Sequence, residues 1–328
     1  MEDIMNRVEP AVATWQTPEY VDAAAFDEHD VTIGADPIAV PGTVTLPRGA
    51  GPHPAAVLLA GGGPFDRDGT AGPNKNLKDI AWGLASRGVA VLRFDKVTYA
   101  RPEYLAATAG FTPTDEYVPH AVAGIEILRD LPTVDGNRVF VVGHSMGGKF
   151  APRVAATEPT VAGLVVLAGD TTPMQWSLVR VLEHLAKVDP ATAAALPTVE
   201  AATEHAKLVD SPELSPATPA EKLPFGMPAP YWLDMRAYDP VAVAATLDIP
   251  MFFLQGERDY QVTVDGDLAR WRAGLATRPD VTIRTYPADD HMFFPGTGPS
   301  MPEDYTHPHH VDPNIIADIA DWLTSQRP

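Results

Sequence analysis

Short apolar runs alternate with stretches of helical apolar spacing along most of this chain, and no other feature restricts its fold so much. Ala55–Ala60, Val89–Phe94, Arg138–Val142, Val161–Ala168, Pro250–Leu254 and Val281–Tyr286 are strand-length runs, several flanked by Gly or Pro. The continuously apolar ones read as strands buried on both faces. Two further strands are expected at Asp30–Ile33 and Ile38–Leu46. Between the runs, Asn76–Ser86 sets Leu77, Ile80, Ala81 and Leu84 on one helical face and ends near Gly88, a residue suited to a C-terminal cap. Asp115–Asp130, Ser145–Ala156 and Asp265–Leu275 also read as helices. Asp312–Leu323 closes the series, with Asp312 as N-cap and Pro313 in the first helical position. Strands that alternate with amphipathic helices build βαβ units, so the expected class is α/β with a mostly parallel sheet. Residues 1–28 are acidic with scattered apolar positions and carry no firm assignment.

The alternation stops after Asp170 and resumes at Pro250. Residues 172–245 hold no strand-like run, one clear helix at Trp176–Ala186, and Pro-, Ala- and Glu-rich segments containing Phe225, Met227, Tyr231 and Trp232. The expected organisation is a core of residues 1–171 and 246–328 with a helical cap inserted at 172–245. The stripe Leu178, Val179, Leu182 and Leu185 reads as packing within that cap, with one edge available to a pocket.

Composition removes several functions. A formal charge of −19 repels phosphate backbones and anionic lipid, so neither nucleic acid nor a membrane surface is an expected partner. The absence of cysteine excludes disulfides, thiolate catalysis and cysteine-ligated metals. Met1–Ile4 has no basic region leading into an apolar run, and no stretch is apolar for long enough to span a bilayer, so the expected location is cytoplasmic. His307, His309 and His310 with Asp304 and Asp312 lack a regular ligand spacing and read as a solvated loop; neither metal nor cofactor is expected.

One motif turns this scaffold toward chemistry. Gly143-His144-Ser145-Met146-Gly147 fits G-x-S-x-G, follows a buried strand and opens a helix. A turn so tight strains its central residue and leaves no room for side chains beside it, which requires Gly143 and Gly147. It lifts the Ser145 hydroxyl above the sheet and aims free helix N–H groups at it. Ser145 is therefore the candidate nucleophile. His144 reads as packing beneath the turn, and Lys149 as facing solvent or a pocket rim.

A serine hydroxyl needs a base to take its proton. His291, in the loop after Val281–Tyr286, fits the chain order Ser, Asp, His. Asp259, after the preceding strand, is the candidate to orient the imidazole. Asp170 is the competing acid; Asp289 and Asp290 lie too close in sequence to His291, and Glu257 is expected to point away. Attack on an acyl carbon creates an oxyanion, which needs two N–H donors. Met146 supplies the first candidate. Gly62, in Ala60-Gly61-Gly62-Gly63-Pro64-Phe65, supplies the second, with Gly63 in reserve because Pro64 has no N–H.

These segments resemble a known group. The glycine loop with Asp66-Arg67-Asp68-Gly69, then Gly72-Pro73-Asn74-Lys75-Asn76, Val91–Lys96, Gly143–Gly148, Asp259-Tyr260-Gln261-Val262 and Asp290-His291 are similar to bacterial esterases of the α/β-hydrolase fold related to dienelactone hydrolases and prolyl-oligopeptidase-type acyl peptidases. The resemblance covers about residues 30–170 and 248–325. It implies Ser145, Asp259 and His291 as a triad, with Gly62 and Met146 at the oxyanion hole. Ala60, Gly62 and Val97 depart from the His, Ser and second basic residue usual in that group, which is expected to widen or dry the pocket. The expected activity is hydrolysis of a carboxylic ester or thioester of a small molecule. The alternative is non-hydrolytic use of the same site, by elimination of a carboxylate or by acyl transfer.

Overall fold

The computed structural model describes residues 14–108 and 110–327. The Met1–Ile4 stretch lies outside them. The described residues form ten strands: β1 (Phe26–Ile33), β2 (Val40–Pro47), β3 (His53–Leu59), β4 (Thr70–Ala71), β5 (Asn74–Lys75), β6 (Ala90–Phe94), β7 (Val134–His144), β8 (Leu164–Leu167), β9 (Met251–Gly256) and β10 (Val281–Tyr286). The helices are α1 (Asn76–Ala85), α2 (Val97–Ala100), α3 (Pro102–Ala107), α4 (Pro113–Arg129), α5 (Met146–Thr157), α6 (Met174–Val188), α7 (Pro190–Ala193), α8 (Val199–Asp210), α9 (Ala229–Ala237), α10 (Pro240–Ala245), α11 (Ala269–Gly274) and α12 (Pro313–Ser325). β4 and β5 make a small hairpin; the other eight strands form one sheet in the order β1-β2-β6-β3-β7-β8-β9-β10. Within the eight-stranded sheet, among the described residues, β2 pairs antiparallel with both of its neighbours and every other pairing is parallel.

β3 shows how sequence becomes packing. Ala55, Val57 and Leu59 enter the core layer shared with α4 and α5, whereas Ala56, Leu58 and Ala60 enter the layer shared with α1 and α12. Successive side chains of a strand point to opposite faces, so a run buried on both sides must be apolar throughout. The helix caps follow the sequence too. Thr112 and Asp115 form a reciprocal capping box on α4, and the Asp312 side chain accepts the Asn314 N–H at the start of α12.

The strand order places the site. From β3 the chain moves one way to β6, then crosses back to β7 on the other side. The carboxyl ends of β3 and β7 therefore flank the point where the winding reverses, and a crevice opens there. The glycine loop leaves β3 and the Ser145 turn leaves β7, at that crevice.

Some boundaries moved. β7 begins at Val134, four residues before the expected strand, because the chain around Val134 pairs with His53 across a register shift. The helix expected at Asp265–Leu275 opens as a π-turn, Val264–Leu268, and becomes α-helical only at Ala269. Here the buried Asp267 carboxylate takes the N–H groups of Thr171, Thr172 and Thr263, which locks the wider turn. Residues 174–245 are helical or irregular, with no strand among the described residues.

Candidate active site

Ser145 stands between β7 and α5 with φ 55° and ψ −122°. A β-carbon at Gly143 would run into the Gly147 carbonyl, and one at Gly147 into the carbonyls of Leu59 and Ala60. A positive φ at a non-glycine residue costs about 1–3 kcal/mol and persists only where the surroundings impose it. Here the Ser145 N–H is held by Leu167 O at 2.8 Å.

The three residues expected to act together are brought together. His291 Nε2 lies 3.1 Å from Ser145 Oγ, and His291 Nδ1 lies 2.8 Å from Asp259 Oδ2. Asp259 is buried and otherwise saturated. Its Oδ1 accepts the N–H groups of Gln261 and Val262, and its Oδ2 also accepts Gln255 Nε2. Such a carboxylate cannot rotate away from the ring. Burial disfavours a charged His291, but the charge and hydrogen bond of Asp259 outweigh it and raise the imidazole above its ordinary value.

The glycine loop lies against the turn. A β-carbon on Gly61 would sit 3.6 Å from Ser145 Oγ, and one on Gly62 would sit 3.4 Å from Met146 Sδ. Neither the Gly62 nor the Met146 N–H meets a protein acceptor among the described residues. Gly63 has φ 110°, a conformation open to glycine.

The site opens into a cavity of about 740 Å³. Its wall is mainly apolar, with Phe65, Met146, Met174, Leu178, Met227 and Met292 among the lining residues. Met174, Ser177, Leu178 and Val181 form the pocket-facing edge of α6, whereas Val179, Leu182 and Leu185 are buried. Phe225 also lines the cavity, although its ring is largely exposed and its φ is positive.

Lys149 does not face solvent: it is buried, with Nζ 2.7 Å from Asp170 Oδ2 and donating to Thr172 O. That ion pair also explains why Asp170, which lines the cavity, is not the partner of His291. His144 is buried beneath the turn, as expected, and its Nε2 also meets His291 O at 2.8 Å. Burial and the neighbouring His291 lower it to about 3, so it is neutral and donates that hydrogen bond. The His307–His310 loop is anchored rather than merely solvated. Asn74 Nδ2 donates to the carbonyls of Tyr305 and His307, and His310 Nδ1 lies 3.1 Å from buried Asp79. Among the described residues, no three His, Asp or Glu side chains are grouped so as to hold a metal ion. Glu257 is exposed, as expected. A second buried ion pair, Lys96 with Glu116, went unread because nothing local in the sequence marks a lysine as buried.

The family model Hydrolase_4, described as serine aminopeptidase, S33, matches residues 69–295. The chain belongs to this family. Within Hydrolase_4 lies the whole segment from the glycine loop's end through Ser145 and Asp259 to His291. Esterase EstD of Thermotoga maritima is 35% identical over 309 residues, which is 94% of this chain and 70% of that protein. The 2,6-dihydropseudooxynicotine hydrolase of Paenarthrobacter nicotinovorans is 27% identical over 168 residues; the match spans 50% of this chain and 42% of that one. In structure the chain is similar to the Pyrococcus furiosus esterase Pf2001, with a TM-score of 0.56, 15% identity and 97% of each chain covered. Est1E from Butyrivibrio proteoclasticus matches with a TM-score of 0.56 and 15% identity over 90% of this chain and 98% of that one. These likenesses establish the α/β-hydrolase fold. No helix among the described residues is long and apolar enough to cross a membrane.

Proposed function

We propose that this protein hydrolyses a carboxylic ester of a small, largely apolar molecule through an acyl-enzyme on Ser145. The observation that carries the reading is the unbroken line from Ser145 Oγ through His291 to Asp259, set at the floor of an apolar cavity. The 35% identity to an esterase supports hydrolysis over elimination or acyl transfer.

In this reading His291 Nε2 takes the Ser145 proton as Oγ bonds to the acyl carbon. The carbonyl oxygen becomes an oxyanion facing the N–H groups of Gly62 and Met146, donors that the fold leaves free for it. When the carbon–oxygen bond to the alcohol breaks, His291 returns the proton to the leaving oxygen. Water then repeats the cycle in reverse, giving the carboxylic acid and free serine. Asp259 fixes the tautomer and stabilises the imidazolium in both halves.

Residues 172–245 act in this proposal as a cap that sets specificity, because Leu178, Met227 and Tyr231 close one side of the cavity. The buried charges at the wall come as matched pairs, Asp170 with Lys149 and Glu116 with Lys96, which suits a neutral substrate. A small-molecule acyl substrate as partner and a cytoplasmic location belong to the same proposal.

The test is turnover of p-nitrophenyl esters from acetate to octanoate by wild type and Ser145→Ala. We expect activity that depends on Ser145 and rises from acetate toward the longer acyl chains. Equal turnover by Ser145→Ala would overturn the reading.

A further inference from the structure

Lys96 follows β6 and turns its side chain under the glycine loop, where it is almost wholly buried. An ammonium has three N–H donors, and each has an acceptor here: Gly61 O at 2.8 Å, Tyr117 Oη at 2.9 Å and Glu116 Oε1 at 3.0 Å. The Tyr117 hydroxyl, having accepted from Lys96, lies 2.9 Å from Gly61 O and 3.1 Å from Ala60 O, so its own proton goes back to the same loop. The Gly61 carbonyl thus has two donors within reach, one of them charged.

That carbonyl belongs to the same peptide unit as the Gly62 N–H. Amide resonance couples the two ends, so donors that pull electron density onto the oxygen make the N–H a stronger donor. A charge-assisted bond pulls harder than a neutral one. Two donors also fix the orientation of the plane, which an all-glycine segment cannot do by itself. Glu116 completes the arrangement: it balances the lysine charge, and Thr98 Oγ1 donates to it at 2.7 Å.

We infer that Lys96, relayed by Tyr117, is a positioning residue that polarises and aims the Gly61–Gly62 amide at the transition-state oxyanion. The inference rests on the ester-hydrolase reading and adds the source of its donor strength. Lys96 does not touch substrate, because it reaches the reaction only through the far side of the peptide. Support for an oxyanion that exists only in the transition state acts on kcat and leaves ground-state binding unchanged.

The experiment uses the full chain, with active sites counted by labelling to completion with a fluorophosphonate. Per labelled site on p-nitrophenyl butyrate, Lys96→Met is expected to lose about 10- to 100-fold in kcat, with KM within about threefold of wild type. Affinity for a trifluoromethyl ketone, which places an oxyanion at the same point, should fall in step with kcat. Tyr117→Phe should lose less, and Lys96→Arg should regain part of the loss because it keeps the charge. A purely structural role would lower the number of labelled sites and leave kcat per site within twofold, which would overturn the inference. If Lys96→Met does not fold, Tyr117→Phe and Lys96→Arg decide: wild-type kcat and ketone affinity in both refute it. Ser145→Ala separates the two readings. Turnover retained there sinks the ester-hydrolase mechanism itself; turnover lost there, but kept by the Lys96 variants, sinks only the role of Lys96.

Discussion

His144 Nε2 lies 2.8 Å from the main-chain carbonyl of His291, so the residue before the nucleophile holds the backbone of its base. The two imidazoles are also in contact, with ring centroids 4.9 Å apart. A neutral His144 can donate to a carbonyl without putting a second positive charge beside His291. His144→Phe keeps the bulk and removes the donor. It should lower kcat by about 10- to 100-fold, since small misplacements of a reacting group cost that much. Steady-state kinetics with active-site titration checks this; a kcat within twofold of wild type would leave His144 as packing alone.

The parts of this arrangement differ in how plainly the sequence announces them. Ser145 was legible because its signal is local: a buried strand, two glycines that sterics demand, and a helix follow one another directly. Asp259 and His291 were legible from chain order combined with strand positions. Lys96 and Lys149 were not, because their burial depends on Glu116 and Asp170, 20 and 21 residues away, and lysine is ordinarily a surface residue. The helices after α6 were hard to read for a different reason. α8 buries Ala202, Ala206 and Val209, small side chains that leave a weak apolar period.

Asp259→Asn tests the orientation of the base. An amide can present its NH₂ group to Nδ1 and stabilise the wrong tautomer, so kcat should fall by about 10³- to 10⁴-fold while the fold is retained. The pH profile should move as well. His291 must be neutral to accept the serine proton, and its raised pKa means that kcat/KM of the wild type falls as pH drops through a midpoint above that of ordinary imidazole. Removing the anion should shift that midpoint of the residual activity downward. An unmoved midpoint would mean that another group sets the acid limb.

The ion pair of Lys149 and Asp170 offers a stability test at the cavity wall. Both residues are buried, so removing one partner strands a charge at low dielectric. Lys149→Met or Asp170→Asn alone should destabilise the fold by about 3–5 kcal/mol, and the double variant by less than the sum of the two. Chemical denaturation of the four proteins measures the coupling. Additive losses would show that the two charges do not depend on each other.

Asp289 is fully buried, and among the described residues no N–H or hydroxyl donor reaches either carboxylate oxygen. Burial, the charges of Asp312 and Asp290 and a hydrogen bond to the Asp312 carboxylate push it up to about 7; Asp290, also buried, is pushed up to about 6. Between the unfolded value near 4 and these folded values, the native state holds more protons than the unfolded chain, so stability falls as pH rises across that window. Asp289→Asn cannot ionise and should flatten the slope, raising Tm at pH 8 relative to wild type while changing it little at pH 4.5. Because Asp289 and Asp290 immediately precede His291, the same loop holds the base. A thermal-melt series from pH 4.5 to 8.5 reads the effect. Parallel curves for the two proteins would show that Asp289 keeps its charge in the folded state, with an unseen donor at its oxygens.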